Sequence, residues 1–545
     1  MRVLAAAVLL SLAFVASAQE TFFSETVEVR VTSVDVVVTK NGQPVPGLTR
    51  DDFEVYEDGE LQEISNFSEI QESTPAATLT AQADGIAPDV PAPPQPLRRR
   101  AITIFVDDAA LHPLSRNAIL PELRRFIADN VRPADSVMIV AWSSSLNVLL
   151  QPTSDRAAID AAVEQLSRRT GQTGTFDEVH RYDKQIGDLL SVYADRDPPE
   201  KPKLSMAINI VSAWAERESF FVRRRVEALK SVISSLRGVD GRKILVVLTE
   251  RLASNPGEEA FAYLERIRSS FESDHAGSGL TFDAKRYEID GLVTEIAAAA
   301  NSSGVTLYPI DGSGKGNDTG FADPSRTVRV VREGSALVPH TSTPALQAIA
   351  AETGGVATAG STNWKLAFDT ISSDLTTYYS LGYHTSGMRE DRLRRITVKV
   401  KKKGYSVRTR RGVVEQTVSS EMQDAVAANL FRAEPLTNAL GIRATATGNS
   451  VTITIPTETL TLRPDGSDLT GSFSLFAAFL RDDGAVSKVA RQKHDFRFPA
   501  ASLARRKEIT VKLDVTADAR TGGISLGVLD EGSRATGFAS VKLAN

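Results

Sequence analysis

The sequence predicts a multidomain protein of the α/β class. Its central domain is expected to be a doubly wound, mostly parallel sheet, flanked by a small N-terminal β domain and a C-terminal β-sandwich. Three observations lead to this prediction. Continuous apolar runs alternate with helical patterns in the middle of the chain, apolar and polar residues alternate strictly at both ends, and 545 residues leave room for three or four domains of roughly 150 residues.

Composition excludes several classes of function before any motif is considered. The chain carries 63 Lys and Arg against 68 Asp and Glu, a formal net charge of −5, which gives no overall attraction for nucleic acid. It contains no cysteine, so disulfide frameworks, thiolate metal sites and cysteine nucleophiles are excluded.

The first 18 residues predict a secretory signal peptide. Arg2 is followed by an apolar run and then by the small residues Ala16-Ser17-Ala18, the usual pattern before a cleavage site. The run is shorter than the roughly 20 apolar residues of a membrane-spanning helix. We therefore expect cleavage near Ala18, a mature protein without a membrane span, and a periplasmic or secreted location.

The N-terminal β domain is predicted over 19–70. Its segment "VEVRVTSVDVVVTK" alternates apolar and polar residues and leads into an Asn-Gly turn, and "DDFEVYEDGELQEISNF" reads as two more short strands. Residues 71–98 are rich in Pro, Ala and small polar residues without an apolar face, which is typical of a linker.

The central α/β domain is predicted over 99–385, with an inserted helical lobe at about 176–214. Runs this apolar are typical of strands buried on both faces, and helical spacing of apolar residues lies between them. The predicted strands are "AITIFVDD" (101–108), "SVMIVAWS" (136–143), "LNVLLQ" (146–151), "KILVVLTE" (243–250), "VTLYPID" (305–311) and "TTYYSLGYH" (376–384).

A basic β-hairpin is predicted over 386–415, turning near Gly404. It carries nine Lys or Arg residues from Arg394 to Arg411. These side chains are expected to be solvated and to discourage edge-to-edge pairing. The alternative is that the basic stretch binds an anionic surface, such as acidic polysaccharide or lipid headgroups. We also expect this hairpin to supply the surface on which the N-terminal strands dock.

The C-terminal domain, predicted over 425–545, returns to period-2 alternation. Segments such as "VTITIPTETLTL" and "RRKEITVKLDV" are separated by Asp-Gly, Gly-Gly and Glu-Gly turns. About seven strands in a β-sandwich are expected.

Functional residues are expected at the carboxyl ends of the central strands, because open α/β sheets bind their ligands there. Asp107 and Asp108 end the first strand, Glu250 follows the fourth, and Thr173 lies in a Gly/Thr-rich loop. Converging carboxylates and hydroxyls could hold a hard divalent cation. The alternative is structural, with the aspartates capping the following turn and Glu250 solvated.

This arrangement resembles a von Willebrand factor type A domain, a Rossmann-like fold with a metal-ion-dependent adhesion site. That site joins an Asp-x-Ser-x-Ser loop, a threonine and a later aspartate. Here Asp107 matches, Ala109 and Leu111 replace the two serines, Thr173 (or Thr175) is the counterpart of the threonine, and Glu250 replaces the aspartate. The resemblance implies a degenerate site at Asp107, Asp108, Thr173 and Glu250. We therefore expect no cofactor, with Mg²⁺ or Ca²⁺ bound weakly or not at all.

A second resemblance covers about 20–415. The strings "LTRDDFEVYEDG", "ITIFVDD" and "YYSLGY" are similar to those of exported von Willebrand factor type A-related proteins abundant in Acidobacteria. This resemblance implies a fold and a compartment but no settled biochemical activity.

The predicted function is that of an exported, non-enzymatic, adhesion-type module that binds an unidentified protein partner. No His-Glu-x-x-His or Gly-x-Ser-x-Gly motif is present to anchor hydrolase chemistry. Two alternatives stay open: a carboxylate-based exported hydrolase using Asp107, Asp108 and Glu250, and a purely structural envelope protein.

Overall fold

The structure is a computed structural model, and it describes most of the chain. The predicted signal peptide, the predicted linker from residue 72 onward and the predicted Gly/Thr-rich segment that contains Thr173 lie outside the described residues. Described are 30–71, 99–143, 145–169, 181, 185–186, 188–189, 204–237, 239, 241–271, 280–313, 342–385, 391–414, 416–430, 436–448, 450–480, 486–502, 505, 507–514 and 523–542.

The central sheet has five strands in the order β10-β9-β6-β7-β8, and it is mixed. Four strands are parallel, whereas β8 runs antiparallel to β7. Only 143–145 separate β7 from β8, which is too short for the crossover that a parallel neighbour requires. The strands are β6 (Arg100–Asp107), β7 (Ser136–Trp142), β8 (Leu146–Thr153), β9 (Arg242–Thr249) and β10 (Val305–Asp311).

Helices cover both faces of this sheet and bury its apolar strands. One core packs α1, α2 and α8 on the first face, and a second core packs α3, α6 and α7 on the other. The helices are α1 (Pro113–Asn130), α2 (Arg156–Arg168), α3 (Leu204–Ser235), α4 (Glu258–Phe271), α5 (Leu280–Lys285), α6 (Leu292–Ser303), α7 (Thr343–Thr353) and α8 (Trp364–Thr376).

The inserted lobe has its own small core. The N-terminal half of α3 packs on α4 and α5 through side chains that include Val211, Trp214 and Phe261. Much of the predicted insertion at 176–214 lies outside the described residues. The part of it from Leu204 onward is helical and forms the first turns of α3.

The N-terminal strands belong to a β-sandwich, and the strands that follow the α/β body in the chain complete it. One sheet has the order β13-β1-β11-β5 with β2 paired to β1, and the other has the order β14-β12-β3-β4. Both sheets contribute to one apolar core. The strands are β1 (Arg30–Lys40), β2 (Gln43–Pro44), β3 (Phe53–Glu57), β4 (Glu60–Gln62), β5 (Ile64–Gln71), β11 (Thr377–Thr385), β12 (Leu393–Val400), β13 (Ser406–Thr409) and β14 (Gly412–Val414).

Two predictions about this region are wrong. The strand predicted at 376–384 for the central sheet is β11, which pairs with β1 and β5 in the sandwich. The predicted hairpin around Gly404 does not form, because β12 pairs with β3 and β14 while β13 pairs with β1. The core explains both results: alternate residues of β11 and β12 face the space between the two sheets and bury their apolar side chains there.

The N-terminal segment docks on 394–414, which is the surface predicted for it, and ion pairs contribute to this docking. Four of the nine basic side chains from Arg394 to Arg411 pair with carboxylates, two of them with carboxylates of the N-terminal segment. The pairs are Arg394–Glu57 at 2.6 Å, Lys402–Asp52 at 3.0 Å, Arg408–Asp374 at 2.6 Å and Arg411–Glu352 at 3.3 Å.

The C-terminal strands form a second sandwich. Its sheets are β15-β16-β20 and β17-β18-β21-β22, with β19 paired to β18, and one core lies between them. Helix α9 (Val418–Asn429) was not predicted; it covers the outer face of the larger sheet. The strands are β15 (Arg443–Thr447), β16 (Ser450–Pro456), β17 (Arg463–Asp465), β18 (Asp468–Phe479), β19 (Ala490–Pro499), β20 (Glu508–Asp514), β21 (Gly523–Asp530) and β22 (Thr536–Lys542).

Within the described part of the chain, none of the helices combines the length and the apolar character that crossing a membrane requires.

Candidate functional site

The carboxylate of Asp107 lies at the carboxyl end of β6, in the middle of the central sheet, and is fully buried. The hydroxyl of Thr249, at the end of the neighbouring strand β9, donates a hydrogen bond of 2.7 Å to Asp107 Oδ2. Arg225 Nε of α3 lies 2.5 Å from the same oxygen. The ends of two parallel strands and one long helix therefore meet at a single carboxylate.

Arg225 continues this network to a second ion pair. Its Nη1 donates to the carbonyl oxygen of Arg251 at 2.6 Å, and its guanidinium lies 5.1 Å from the ring centre of Trp142. The Arg251 guanidinium in turn donates to both carboxylate oxygens of Glu218, at 3.1 and 3.2 Å. Two arginines and two carboxylates thus alternate in the interior, none of them more than 5% exposed.

Burial disfavours the charged form of Asp107. It raises the pKa of this carboxyl, whereas the charge of Arg225 and the hydrogen bond from Thr249 act in the opposite direction. One of its oxygens, Oδ1, is buried without a hydrogen-bond partner. Retaining the charge on Asp107 therefore depends on Arg225, because removing one member of a buried ion pair leaves the other uncompensated.

Asp108 belongs to a different cluster from its neighbour Asp107. Its Oδ1 lies 3.4 Å from Arg116 Nη1, and its Oδ2 accepts a hydrogen bond of 2.6 Å from Arg169 Nε. The side chain of Asp108 is 5% exposed. The two consecutive carboxylates are therefore each neutralised by separate arginines.

Glu250 contacts the loop between β6 and α1. Its Oε1 accepts a hydrogen bond of 3.2 Å from the backbone N–H of His112. Burial raises the pKa of Glu250, and hydrogen bonds from Ser115 and His112 partly offset that effect. Gly312 packs tightly against this loop: a Cβ at this position would lie 2.2 Å from Leu111 Cδ1, which leaves no room for a larger residue.

Of the four predicted site residues, three are described, and they do not form one ligand set. Asp107, Asp108 and Glu250 each have separate partners, and Thr173 lies outside the described residues. Across the residues that the structure covers, no group of three or more His, Asp or Glu side chains is arranged to hold a metal. Trp142, an aromatic at this edge, is 3% exposed and packs under Arg225.

The residues present do not fit the metal site that the family resemblance implies. The guanidinium of Arg225 already lies against Asp107, and it would repel a metal cation at this carboxylate. Ala109 and Leu111, at the two serine positions, are each 1% exposed and packed into the two cores of the sheet. They offer no side-chain oxygen to a cation that prefers six or more.

Sequence reasoning missed Arg225, Arg251 and Glu218 as members of this site. One signal was available: Arg225 falls at helical spacing between Val222 and Leu229 on the apolar stripe of α3. A charged residue on such a stripe is rarely buried without a partner. Which carboxylate it would pair with depends on how α3 crosses the sheet.

Neither a family model nor a curated protein matches this chain. Among solved structures, an aerotolerance-related membrane protein from Bacteroides fragilis NCTC 9343, with multiple mutations to serines, is 15% identical (TM-score 0.22), covering 51% of this chain and 98% of that one. The conserved hypothetical protein BatB from Bacteroides thetaiotaomicron is 14% identical (TM-score 0.23), covering 51% and 97%. Three N-terminal domains of the type V pili tip protein Mfa5 from Porphyromonas gingivalis are 11% identical (TM-score 0.26), covering 94% and 96%.

Proposed function

We propose that this chain is an exported, non-enzymatic interaction module that binds a protein partner through the loops at the carboxyl edge of its central sheet and through its inserted helices. The observation that carries the proposal is that the aspartates of this edge are buried and paired, while apolar side chains nearby in the chain are exposed. Leu114, two residues after His112, is 74% exposed, and Phe220, two residues after Glu218, is 57% exposed.

The pairing of the aspartates argues against acid–base catalysis by them. A general acid or base must come within hydrogen-bond reach of its substrate. Asp107 is fully buried beneath Arg225 and Thr249, and Asp108 is held by Arg116 and Arg169. The buried charges of this edge are balanced by their partners. Exposed apolar side chains beside them, such as Leu114, would gain free energy if a protein partner buried them.

We propose further that the adhesion site of the resembling family is degenerate here and takes no cation. Millimolar Mg²⁺ or Ca²⁺ should then change the melting temperature by less than about 2 °C, because saturating binding would stabilise the fold by about 2 kcal/mol or more. A larger metal-dependent rise that Asp107→Ala abolishes would contradict this proposal and restore a metal-dependent mechanism.

We place the chain, on its N-terminal sequence and its motifs, with the exported von Willebrand factor type A-related proteins, in the periplasm or outside the cell. Sequencing the N-terminus of the native protein tests the export step. We expect it to begin at or within a residue or two of Gln19. Recovery of the chain from the cytosol with Met1 intact would contradict export.

Capture of partners from an envelope extract tests the binding proposal. Leu114→Asp and Phe220→Asp should each reduce the recovery of a partner at least about tenfold, because a charge would be placed in the apolar contact. Leu61→Asp is the matched control: Leu61 is 63% exposed on β4 of the N-terminal sandwich and should leave recovery unchanged. Equal recovery by all three variants, or turnover of extract components without stable capture, would overturn the proposal.

A further inference from the structure

A cavity of about 790 Å³ lies between the N-terminal sandwich and the central α/β body, at the amino ends of the central strands. Residues of β1, β9, β13 and the end of α6 line it. Its volume falls within the range of small-molecule sites, roughly 300 to 1,000 Å³. It is remote in the fold from the Asp107 network, which occupies the carboxyl ends of the same strands.

The wall of this cavity is strongly basic. Among the described residues that line it, the positively charged side chains are Arg99, Arg237, Arg242, Lys243, Arg408 and Arg410, and the negatively charged side chain is Asp35. Two further carboxylates pair with members of this set, Asp374 with Arg408 at 2.6 Å and Asp424 with Arg237 at 2.6 Å. The six cations still outnumber these three carboxylates.

Arg410 shows why hydrogen bonds inside the wall do not remove this excess. Its Nη1 donates to the carbonyl oxygen of Asn301 at 3.2 Å, and its Nη2 donates to the carbonyl oxygen of Ser33. Carbonyl oxygens satisfy N–H donors but carry no net charge, and burial lowers the pKa of Arg410. An anion in the cavity would supply the missing charge.

One cation of the wall is fixed in place by its own contacts. Arg242 is only 5% exposed, and its guanidinium stacks 4.1 Å from the ring centre of Tyr378, so it is held in place before any ligand arrives. Positioned guanidinium groups bind phosphate and sulfate strongly in proteins, because their planar set of N–H donors matches the oxygens of a tetrahedral oxyanion.

We propose that this cavity is a binding site for a small molecule carrying several phosphate or sulfate groups. The tetrahedral oxyanion is the shared chemistry, because each such group presents several acceptor oxygens to a wall of donors. The site is separate from the partner-binding loops, so the proposal stands independently of the proposed function.

Titration calorimetry of the full mature chain at low ionic strength tests the proposal, with myo-inositol hexakisphosphate and myo-inositol hexakissulfate as probes. We expect one molecule bound per chain. Tighter binding of one probe identifies the group that the site prefers, phosphate or sulfate. Absence of binding by both would overturn the proposal.

A pair of double variants separates site binding from general attraction. Arg99→Gln/Lys243→Gln removes two charges from the wall and should weaken binding about tenfold or more, which corresponds to the loss of one or two charge-assisted hydrogen bonds. Lys512→Gln/Lys542→Gln removes the same charge from exposed positions of the C-terminal sandwich and should change affinity less than about twofold. Equal weakening by the two variants would show attraction to net charge alone and would overturn the proposal. Unchanged melting temperatures verify that both variants fold.

Discussion

Arg225 is a cation on the apolar side of a long helix, and the fold accommodates it through one carboxylate. Its Nε lies 2.5 Å from Asp107 Oδ2, and both side chains are at most 2% exposed. Buried ion pairs of this kind contribute little net stability compared with apolar residues of the same size. Their importance lies in what happens when only one partner is removed.

We predict that Arg225→Met destabilises the α/β body by about 3 to 5 kcal/mol, because Asp107 would stay buried without its counterion. The double variant Arg225→Met/Asp107→Leu should recover most of that loss. Urea denaturation measures the free energy of unfolding in each case.

The control for this prediction lies two residues earlier on the same helix. Arg223 is exposed and makes a hydrogen bond of 3.4 Å to the carbonyl oxygen of Glu288. Arg223→Met should change the free energy of unfolding by less than about 0.5 kcal/mol. An equal effect of the two single variants, or no recovery in the double variant, would contradict the central role of the Asp107 pair.

Glu259, in the first turn of α4, gives a prediction that depends on pH. Burial, together with repulsion from Glu258, raises its pKa to about 7, and its Oε2 is buried without a hydrogen-bond partner. The folded state then holds a proton that the unfolded state releases near its ordinary pKa of 4.5. Stability from this group is therefore lost as the pH rises from about 4.5 through 7.

Glu259→Gln removes that loss. We predict that the variant is more stable than the unmodified chain by about 1 kcal/mol at pH 8, a value reduced for solvent screening, and about equally stable near pH 4.5. Melting temperatures across this pH range measure the difference. Glu258→Gln, at an exposed neighbouring position, is the control and should show a smaller dependence on pH. A constant difference between Glu259→Gln and the unmodified chain at all pH values would contradict the assigned pKa.

At the scale of single residues, the sequence could place Asp107 and Glu250 at strand ends but not their partners. The strand-end position follows from apolar runs, which are a local property. The pairing with Arg225 follows from the crossing of α3 over the sheet, a tertiary property that no local pattern records. The departures Ala109 and Leu111 were visible in the sequence, and their burial accounts for the absence of hydroxyl groups at those positions.

Helix α8 of the α/β body leads directly into strand β11 of the N-terminal sandwich, because Thr376 ends the helix and Thr377 begins the strand. Asp374, in the last turn of α8, accepts two hydrogen bonds from Arg408 of β13, at 2.7 and 2.6 Å, and a third from the hydroxyl of Tyr308 at 3.0 Å. This one carboxylate therefore links the central sheet, the helix and the sandwich.

We predict that Asp374→Asn destabilises the chain by about 2 to 4 kcal/mol, because Arg408 would lose its counterion in a largely buried position. Asp369→Asn, on the exposed side of the same helix, should cost less than about 1 kcal/mol, since Asp369 pairs with Lys365 and Arg125 at the surface. Urea denaturation compares the two variants. Losses of similar size would contradict the linking role of Asp374.

The four parallel strands of the central sheet were predictable because parallel strands buried on both faces have continuous apolar sequences. The same rule misled at β11, whose aromatic residues resemble such a run. Tyr379 and Tyr383 face the sandwich core, while Ser380 lies on the other side of the strand. Period-2 alternation was present in Tyr379, Leu381 and Tyr383, but Tyr378, a buried aromatic residue on the opposite side of the strand, concealed it.

At the scale of the whole molecule, the α/β body is inserted between two strands of one sandwich. The chain leaves the sandwich after β5 and returns in β11, which pairs directly with β5. Strands on both sides of the insertion share one core. The domain boundaries expected at 70 and 385 therefore divide the sequence correctly, but the sandwich itself consists of segments from both sides of the α/β body.

Limited proteolysis tests this arrangement. We predict that cutting within 72–98, where the composition is that of a linker, leaves the N-terminal fragment bound, because β1 and β3 pair with strands far along the chain. Both fragments should elute together from a sizing column and separate only in denaturant. Separation without denaturant would contradict the shared core.

The insertion also sets the order in which the protein can fold. Strands β1, β3 and β5 are synthesised before the α/β body, yet the strands β11, β12 and β13 that they pair with lie at 377–409, roughly 300 residues later in the chain. Closing so long a loop in an unfolded chain carries an entropic cost, and it delays pairing until the intervening α/β body has formed and brought its ends together. Until then the Val-rich segment of β1 has no partner, and an unpaired strand of this kind is prone to aggregation. The sandwich that begins the chain is thus the part whose folding must wait for synthesis of the α/β body.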